Sequence, residues 1–401
     1  MKDKKLRILF ITNLDLGQPD GELVTFVNLA NALTKRGHEV LFLSPLPRGI
    51  KLIPPKKCLF VPRISLRYIR YFTFTFLLPF YLLYALFSFR PNVIIYRGYD
   101  AVPYLFAYLF SKIFNIPICH NYGGIPQRRF PIRWSVRILL DYLHWLAQKN
   151  SYLIVDHSNS DEVERVAIKE KFPLSRLASF EGPALDPKIF YPIDMKKARS
   201  KLGLPLQTYI LFFSATEAGT CNYNLKIMLF ALKKIIQKCP DSLLIIAGEI
   251  HPRYKKSFLK LVDEEGLTEK ALITGYLSQE SLNLYINASD VCLLPIIREH
   301  LERNKISGAT KLWEYFGCAR PVVKSDLEEC WTYNWFKDIS LIVPPDDEES
   351  LAQALIQLYG NPSLRKELGE KAYRWVLENH TWDKRAEKIE RFLKWLLKDR
   401  K

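Results

Sequence analysis

The chain has 401 residues, 48% of them hydrophobic, which suits two cores better than one. Lys and Arg number 58 against 42 Asp and Glu, a net charge of +16, so anionic partners are favoured: nucleotides, nucleic acid or acidic lipid. The seven cysteines are scattered with no C-x-x-C pair, which argues against a disulfide framework or zinc site and for a reducing, cytoplasmic setting. The apolar run after Met-Lys-Asp-Lys-Lys, about five residues, is too short for the core of a secretory signal.

In chain order, residues 8–11 read as a strand, followed by a loop containing Gly17 and Gly21 and a helix with Leu23, Phe26, Val27, Ala30 and Leu33 at helical spacing. Gly37 ends it, and 40–43 is the second strand. Residues 71–89 are uncharged and aromatic, with arginines on either side and Pro79 in the middle. This predicts a buried or surface-dipping helix rather than a membrane span, with a composition suited to a lipid interface. Further strands are predicted at 93–96, 116–119 and 152–155. After a proline-punctuated link near 180–205 the pattern restarts: strands at 209–213, 243–248, 271–274, 291–295, 321–323 and 341–343 alternate with helices, and helices fill 349–360, 363–378 and 383–399. Alternation of this kind predicts an α/β chain of two parallel-sheet domains facing a cleft.

The first loop carries only Gly17-x-x-x-Gly21, and the second strand ends Ser44-Pro45, without the acid of a dinucleotide site. Nicotinamide and flavin binding are therefore disfavoured, and no phosphate-binding loop of the G-x-x-x-x-G-K type is present. Gly17 and Gly21 still allow the backbone close to a ligand, beside the free N–H groups of the helix that follows; a plain turn explains them equally well. His120 follows a predicted strand, where it would face the crevice and donate to a sugar, or serve as an ordinary loop histidine. His38 reads as a structural strand-entry residue. Arg298, Arg303, Lys305 and Lys311 gather after the strand ending at Pro295, a cationic loop suited to a diphosphate or simply solvated. Glu314 lies on the next helix, in Lys311-Leu-Trp-Glu314-Tyr-Phe-Gly317, where a carboxylate at a strand mouth can accept from two neighbouring sugar hydroxyls.

These segments together resemble retaining glycosyltransferases of family 4, with the GT-B fold of two Rossmann-like domains. The resemblance is carried by Gly37-His-Glu-Val40, Gly182-Pro-Ala-Leu-Asp186, Ala247-Gly-Glu249, Tyr285-Ile-Asn-Ala-Ser-Asp-Val291, Lys311-Leu-Trp-Glu-Tyr with Pro321-Val-Val, and His380-Thr-Trp382. It implies an acceptor-binding domain over 1–185, a nucleotide-sugar-binding domain over 186–380, and a helix over 381–401 packing across the lobes. It also implies a metal-independent retaining transfer from a nucleotide-diphosphate sugar, with no cofactor. The acceptor would be a glycan, a lipid-linked molecule or a cell-surface polysaccharide precursor. Glu314 would hold the ribose, Lys311, Arg298, Ser307 and Gly308 the rest of the donor, and His120 the transferred sugar as the catalytic-site residue. The expected setting is cytoplasmic, peripheral at the inner membrane face, with an anionic lipid surface but no nucleic acid as partner. Two departures stand out. Ile306 occupies the position of the family's first glutamate, and 214–222 lacks the expected diphosphate-gripping cations. A non-catalytic sugar-nucleotide binder and a GT-B-type nucleotide-sugar epimerase are the alternatives.

Overall fold

The computed structural model describes residues 5–17, 21–47, 49, 52–63, 69–98, 100–122, 136–156, 160–180, 184–218, 225–298, 310–326 and 338–399. The chain divides into two units, one running to Pro183 and resuming at Trp382, the other spanning Ala184–Thr381.

In the first unit, β1 (Arg7–Thr12), α1 (Gly21–Lys35), β2 (Glu39–Pro45), β3 (Cys58–Val61), α2 (Ile69–Phe89), β4 (Val93–Arg97), α3 (Ala101–Ile113), β5 (Ile118–Tyr122), α4 (Val136–Lys149), β6 (Tyr152–Asp156), α5 (Ser160–Lys169) and β7 (Leu177–Phe180) follow one another. The strands form one parallel sheet in the order β3-β2-β1-β4-β5-β6-β7. Strand order reverses between β1 and β4, which makes their C-terminal ends the topological switch point of this open α/β sheet. The strands are apolar on both faces, as a sheet covered on both sides requires. Phe10, Phe26 and Phe42 pack on one face; Leu9, Ile94 and Tyr96 meet α2 and α3 on the other.

In the second unit, α6 (Met195–Leu202), β8 (Tyr209–Ala218), α7 (Leu225–Ile236), β9 (Ser242–Ile250), α8 (Pro252–Glu264), β10 (Ala271–Gly275), α9 (Gln279–Ala288), β11 (Val291–Leu294), α10 (Thr310–Gly317), β12 (Val322–Ser325), β13 (Leu341–Val343), α11 (Glu348–Gly360) and α12 (Pro362–Asn379) build a second parallel sheet. Its order is β10-β9-β8-β11-β12-β13, with the reversal between β8 and β11. A buried Arg199 fixes α6 to this sheet: its guanidinium donates to Asp290 at 2.7 Å and to the Ala288 carbonyl at 2.8 Å, while Asp290 also accepts the Ile210 N–H. Both units are thus doubly wound, and the chain has the GT-B fold.

The last helix, α13 (Trp382–Asp399), returns to the first unit. The sequence led us to expect it across the lobes. Its apolar stripe, Ala386, Ile389, Leu393 and Leu396, instead completes the core between α1 and the sheet of the first unit. Glu390 on its polar edge accepts from Arg36 at 2.8 Å and pairs with Lys394 at 2.5 Å. His38 supports the same contact. Its Nδ1 accepts the Leu6 N–H, and its Nε2 faces Glu390 at 3.5 Å. It is a structural residue, as its place at the strand entry suggested.

Residues 69–89 form one helix that continues through Pro79. Among the described residues no helix is long and apolar enough to cross a membrane. No cluster of three metal-ligating side chains occurs among them either.

Candidate active site

Helix α10 follows β11, and in a right-handed crossover its N-terminus lies where the strands end. Leu312, Trp313, Tyr315 and Phe316 hold it down and are fully buried or nearly so. Trp313 stacks on His380 at 4.3 Å and on Trp375 at 5.6 Å. The Tyr315 hydroxyl accepts the Ser214 N–H at 2.9 Å and lies 3.0 Å from Ser214 Oγ, which ties the helix to β8. Gly317 reads in the sequence as a helix stop. The left-handed residue is instead Ala319, at φ 54°, and Gly317 is small because a Cβ there would lie 2.7 Å from Leu185.

This seating leaves Lys311 and Glu314 one helical turn apart and both partly buried. Lys311 Nζ lies over the Phe213 ring, 4.5 Å from its centroid, just past the β8–β11 pair of Phe212 with Cys292. Burial pulls the Lys311 ammonium down to about 7, with Glu314 opposing. Burial also pushes the Glu314 carboxyl up to about 7, against the attraction of Lys311. A base and an acid held near neutrality, side by side at a strand mouth, form a site whose charge a bound anion or hydroxyl can set.

The sheet around them departs from regular pairing. Residues 214–218, expected as a loop, extend β8, with a register shift between Ser214 and Glu217 against β9. Gly248 permits this bulge: at φ 121° a Cβ would sit 1.6 Å from the Ala215 carbonyl oxygen. Arg298 lies beyond β11 and is exposed; its backbone N–H donates to Asp346 at 2.9 Å. Lys324, on strand β12 after Val322 and Val323, is a second cation and is buried, lowered by burial to about 8 with Asp326 opposing. Its only sequence signal was a lysine closing an apolar strand. Ser307, Gly308 and Ile306 lie outside the described residues.

The first unit places its expected residues differently. β5 runs to Tyr122, so His120 lies inside the strand rather than after it. Its ring is fully buried, stacked on Tyr104 at 4.5 Å, 2.8 Å from Gln148 Nε2 through Nδ1, and near His144. Burial, then His144 and Arg97, hold it well below the usual histidine range, so it is a neutral core imidazole. The open strand-mouth position expected for it belongs to other residues. Gly17 donates its N–H to Asp15 at 2.9 Å, a local turn beside β1, and Gly21 opens α1. At the β1/β4 switch point, Asn13 donates to Asp100, crossing over Gly98, where a Cβ would collide with Asn13 Oδ1 at 1.8 Å. Asp15 pairs with Arg63 at 2.5 Å, and Arg97 donates to Asn121 from a buried position. Asn13, Asp15, Arg97 and Asp100 carry no motif and were not singled out from the sequence.

Residues 207–361, which contain β8 to α11 and the Lys311–Glu314 pair, match the model of the family described as glycosyl transferases group 1. That segment is similar to a group 1 glycosyltransferase domain, on a chain with the GT-B fold. The chain is 23% identical over 285 residues to the alpha-D-kanosaminyltransferase of Streptomyces kanamyceticus, covering 67% of each chain. Sucrose-phosphate synthase from Thermosynechococcus elongatus has a similar fold, with a TM-score of 0.68 and 17% identity over 98% of this chain and 100% of that one. So does Anabaena HepE, solved with UDP-glucose, at a TM-score of 0.67 and 13% identity over 98% and 100%.

Proposed function

We propose that this protein is a group 1 glycosyltransferase, transferring a sugar from a nucleotide-diphosphate donor to a hydroxyl acceptor with retention of anomeric configuration. The observation that carries the reading is the Lys311–Glu314 pair at the β8/β11 switch point, inside the segment that matches the glycosyltransferase model. Ionised Glu314 accepts from the two ribose hydroxyls. Protonated Lys311, with Arg298 and Lys324 as further cations of this sheet edge, offsets the charge that develops on the departing diphosphate. Ser307 and Gly308 are proposed to complete the donor pocket. No metal or cofactor has a role in this scheme. The acceptor hydroxyl attacks the anomeric carbon on the face the diphosphate leaves, and its proton passes to the leaving phosphate oxygen. Because HepE was solved with UDP-glucose, a uridine donor is the first to test.

The acceptor is proposed to bind the first unit, where Asn13, Asp15 and Asp100 offer hydroxyl-binding groups at the β1/β4 switch point. His120 is proposed to position β5 beneath that mouth through its contacts with Gln148 and Tyr104. We propose a lipid-linked molecule or a cell-surface polysaccharide precursor as acceptor, and the cytoplasm as the place of action.

Calorimetry of the full chain with UDP-, GDP- and ADP-sugars, then NMR of the product anomer, tests this. One donor binds, Glu314→Gln weakens it, and the product keeps the donor's configuration. Binding without turnover on any acceptor would instead support the non-catalytic reading that Ile306 motivates. Conversion of the donor without acceptor would support the epimerase.

A further inference from the structure

Helices α2, α3 and α4 lie side by side on one face of the first sheet, with α3 between the other two. On α2 the buried positions Phe74, Leu78, Leu82 and Ala85 occupy one side. Phe76, Phe80, Tyr84 and Phe87 fall on the opposite side and are 60% to 72% exposed. Four aromatics at spacings of four, four and three form a single stripe along the helix. Phe87 reaches the C-terminal end of α3 by an edge contact with Phe114 at 5.4 Å, and there Ile113 is also exposed. On α4 Leu139 is exposed in turn. At ~200 Å² per aromatic, the α2 stripe alone exposes about 500 Å², at the top of the range for an ordinary monomer surface.

The charge on this layer is one-sided. α2 and α3 contain no acid, and the described side chains of the three helices include Lys112 and Lys149 against Asp141. Lys112 lies over the Tyr108 ring at 5.0 Å and Lys149 over Trp145 at 4.9 Å, amphipathic pairs suited to a headgroup boundary. A second copy of the chain would bring the same cations against themselves. An anionic bilayer would neutralise them while accepting the aromatics.

We infer that the α2–α3–α4 face docks the protein on an anionic lipid surface, with the Phe76–Phe80–Tyr84–Phe87 stripe entering the headgroup boundary and Lys112 and Lys149 meeting lipid phosphates. Because its readout is lipid binding alone, the inference stands apart from the glycosyl-transfer reading.

The test is flotation of the full chain with vesicles of phosphatidylcholine alone and with about 30% phosphatidylglycerol added. The parent floats with the anionic vesicles, and raising salt from about 0.1 M to about 0.5 M releases it. Replacing all four aromatics by serine lowers the partition coefficient at least about tenfold. Because these side chains are exposed, its melting temperature matches the parent's. Lys112→Gln with Lys149→Gln keeps the aromatics and lowers binding to anionic vesicles by about tenfold or more. Failure of the parent to float, equal binding to neutral vesicles, or unchanged binding of either variant would overturn the inference. So would a dimer in sedimentation that the serine variant dissolves, since that assigns the face to a second copy.

Discussion

Glu314→Gln separates what burying this carboxylate costs from what it contributes. Burial, opposed by Lys311, lifts Glu314 from 4.5 to about 7. Between those values the folded chain keeps a proton that the unfolded chain has released, so stability falls as pH rises. The penalty is absent below pH 4.5, grows through the window and is complete above pH 7. At ~1.36 kcal/mol per tenfold change in proton affinity it reaches about 3 kcal/mol. For a unit of about 200 residues that is about 6–12 °C in melting temperature. Glutamine has no such proton. The difference in Tm, variant minus parent, therefore widens by about 6–12 °C between about pH 5 and about pH 8, read by thermal shift without ligand. A difference constant to within about 2 °C across that range refutes the buried-carboxylate argument. The same substitution weakens nucleotide-sugar binding by about 10- to 100-fold, because an amide offers one acceptor oxygen where the carboxylate offers two.

Two further outcomes follow from the packing. Gly248→Ala puts a methyl against the Ala215 carbonyl and a side chain at φ 121°, so it straightens or unseats the β8 bulge. We expect a loss of about 3 kcal/mol or more in chemical denaturation, with loss of donor binding; an unchanged midpoint would contradict the close approach. Glu390 is held at about 2, because Lys394 and Arg36 outweigh the burial that would raise it. Its contribution is present above pH 4.5 and lost as pH falls toward 2. Glu390→Gln lowers stability by about 1–3 kcal/mol at neutral pH, and the gap to the parent closes in acid. A gap that persists at low pH would deny the carboxylate this role.

The strand–helix alternation was legible because both sheets are buried on two faces, so their strands stand out as apolar runs. The site was legible only in part. Lys311 and Glu314 were visible because they sit on an amphipathic helix at a recognisable strand mouth. Lys324 was hidden by the apolar strand that carries it, since one lysine in such a run says nothing of where its head group points. His120 shows how a small boundary error travels: a strand placed at 116–119 instead of Ile118–Tyr122 turned an interior ring into an apparent crevice residue. The 214–222 segment carried loop-forming residues, yet β8 continues to Ala218 because Gly248 on the next strand gives its backbone room. Asn13 and Asp100 lie 87 positions apart, and only the sheet order brings them together.

The return of the last helix to the first unit has a consequence for biosynthesis. When Pro183 leaves the ribosome, every strand of the first sheet has been made, but the helix that covers α1 and the sheet between Ala386 and Leu396 has not. Roughly 200 further residues must be translated first, about 10–40 s at ordinary rates of synthesis. The second unit is complete before the first, so the order of completion is the reverse of the order of synthesis. During that interval an apolar strip of the first unit faces solvent or a chaperone. A nonsense mutation near residue 382 would spare the second unit and strike the one that was synthesised first.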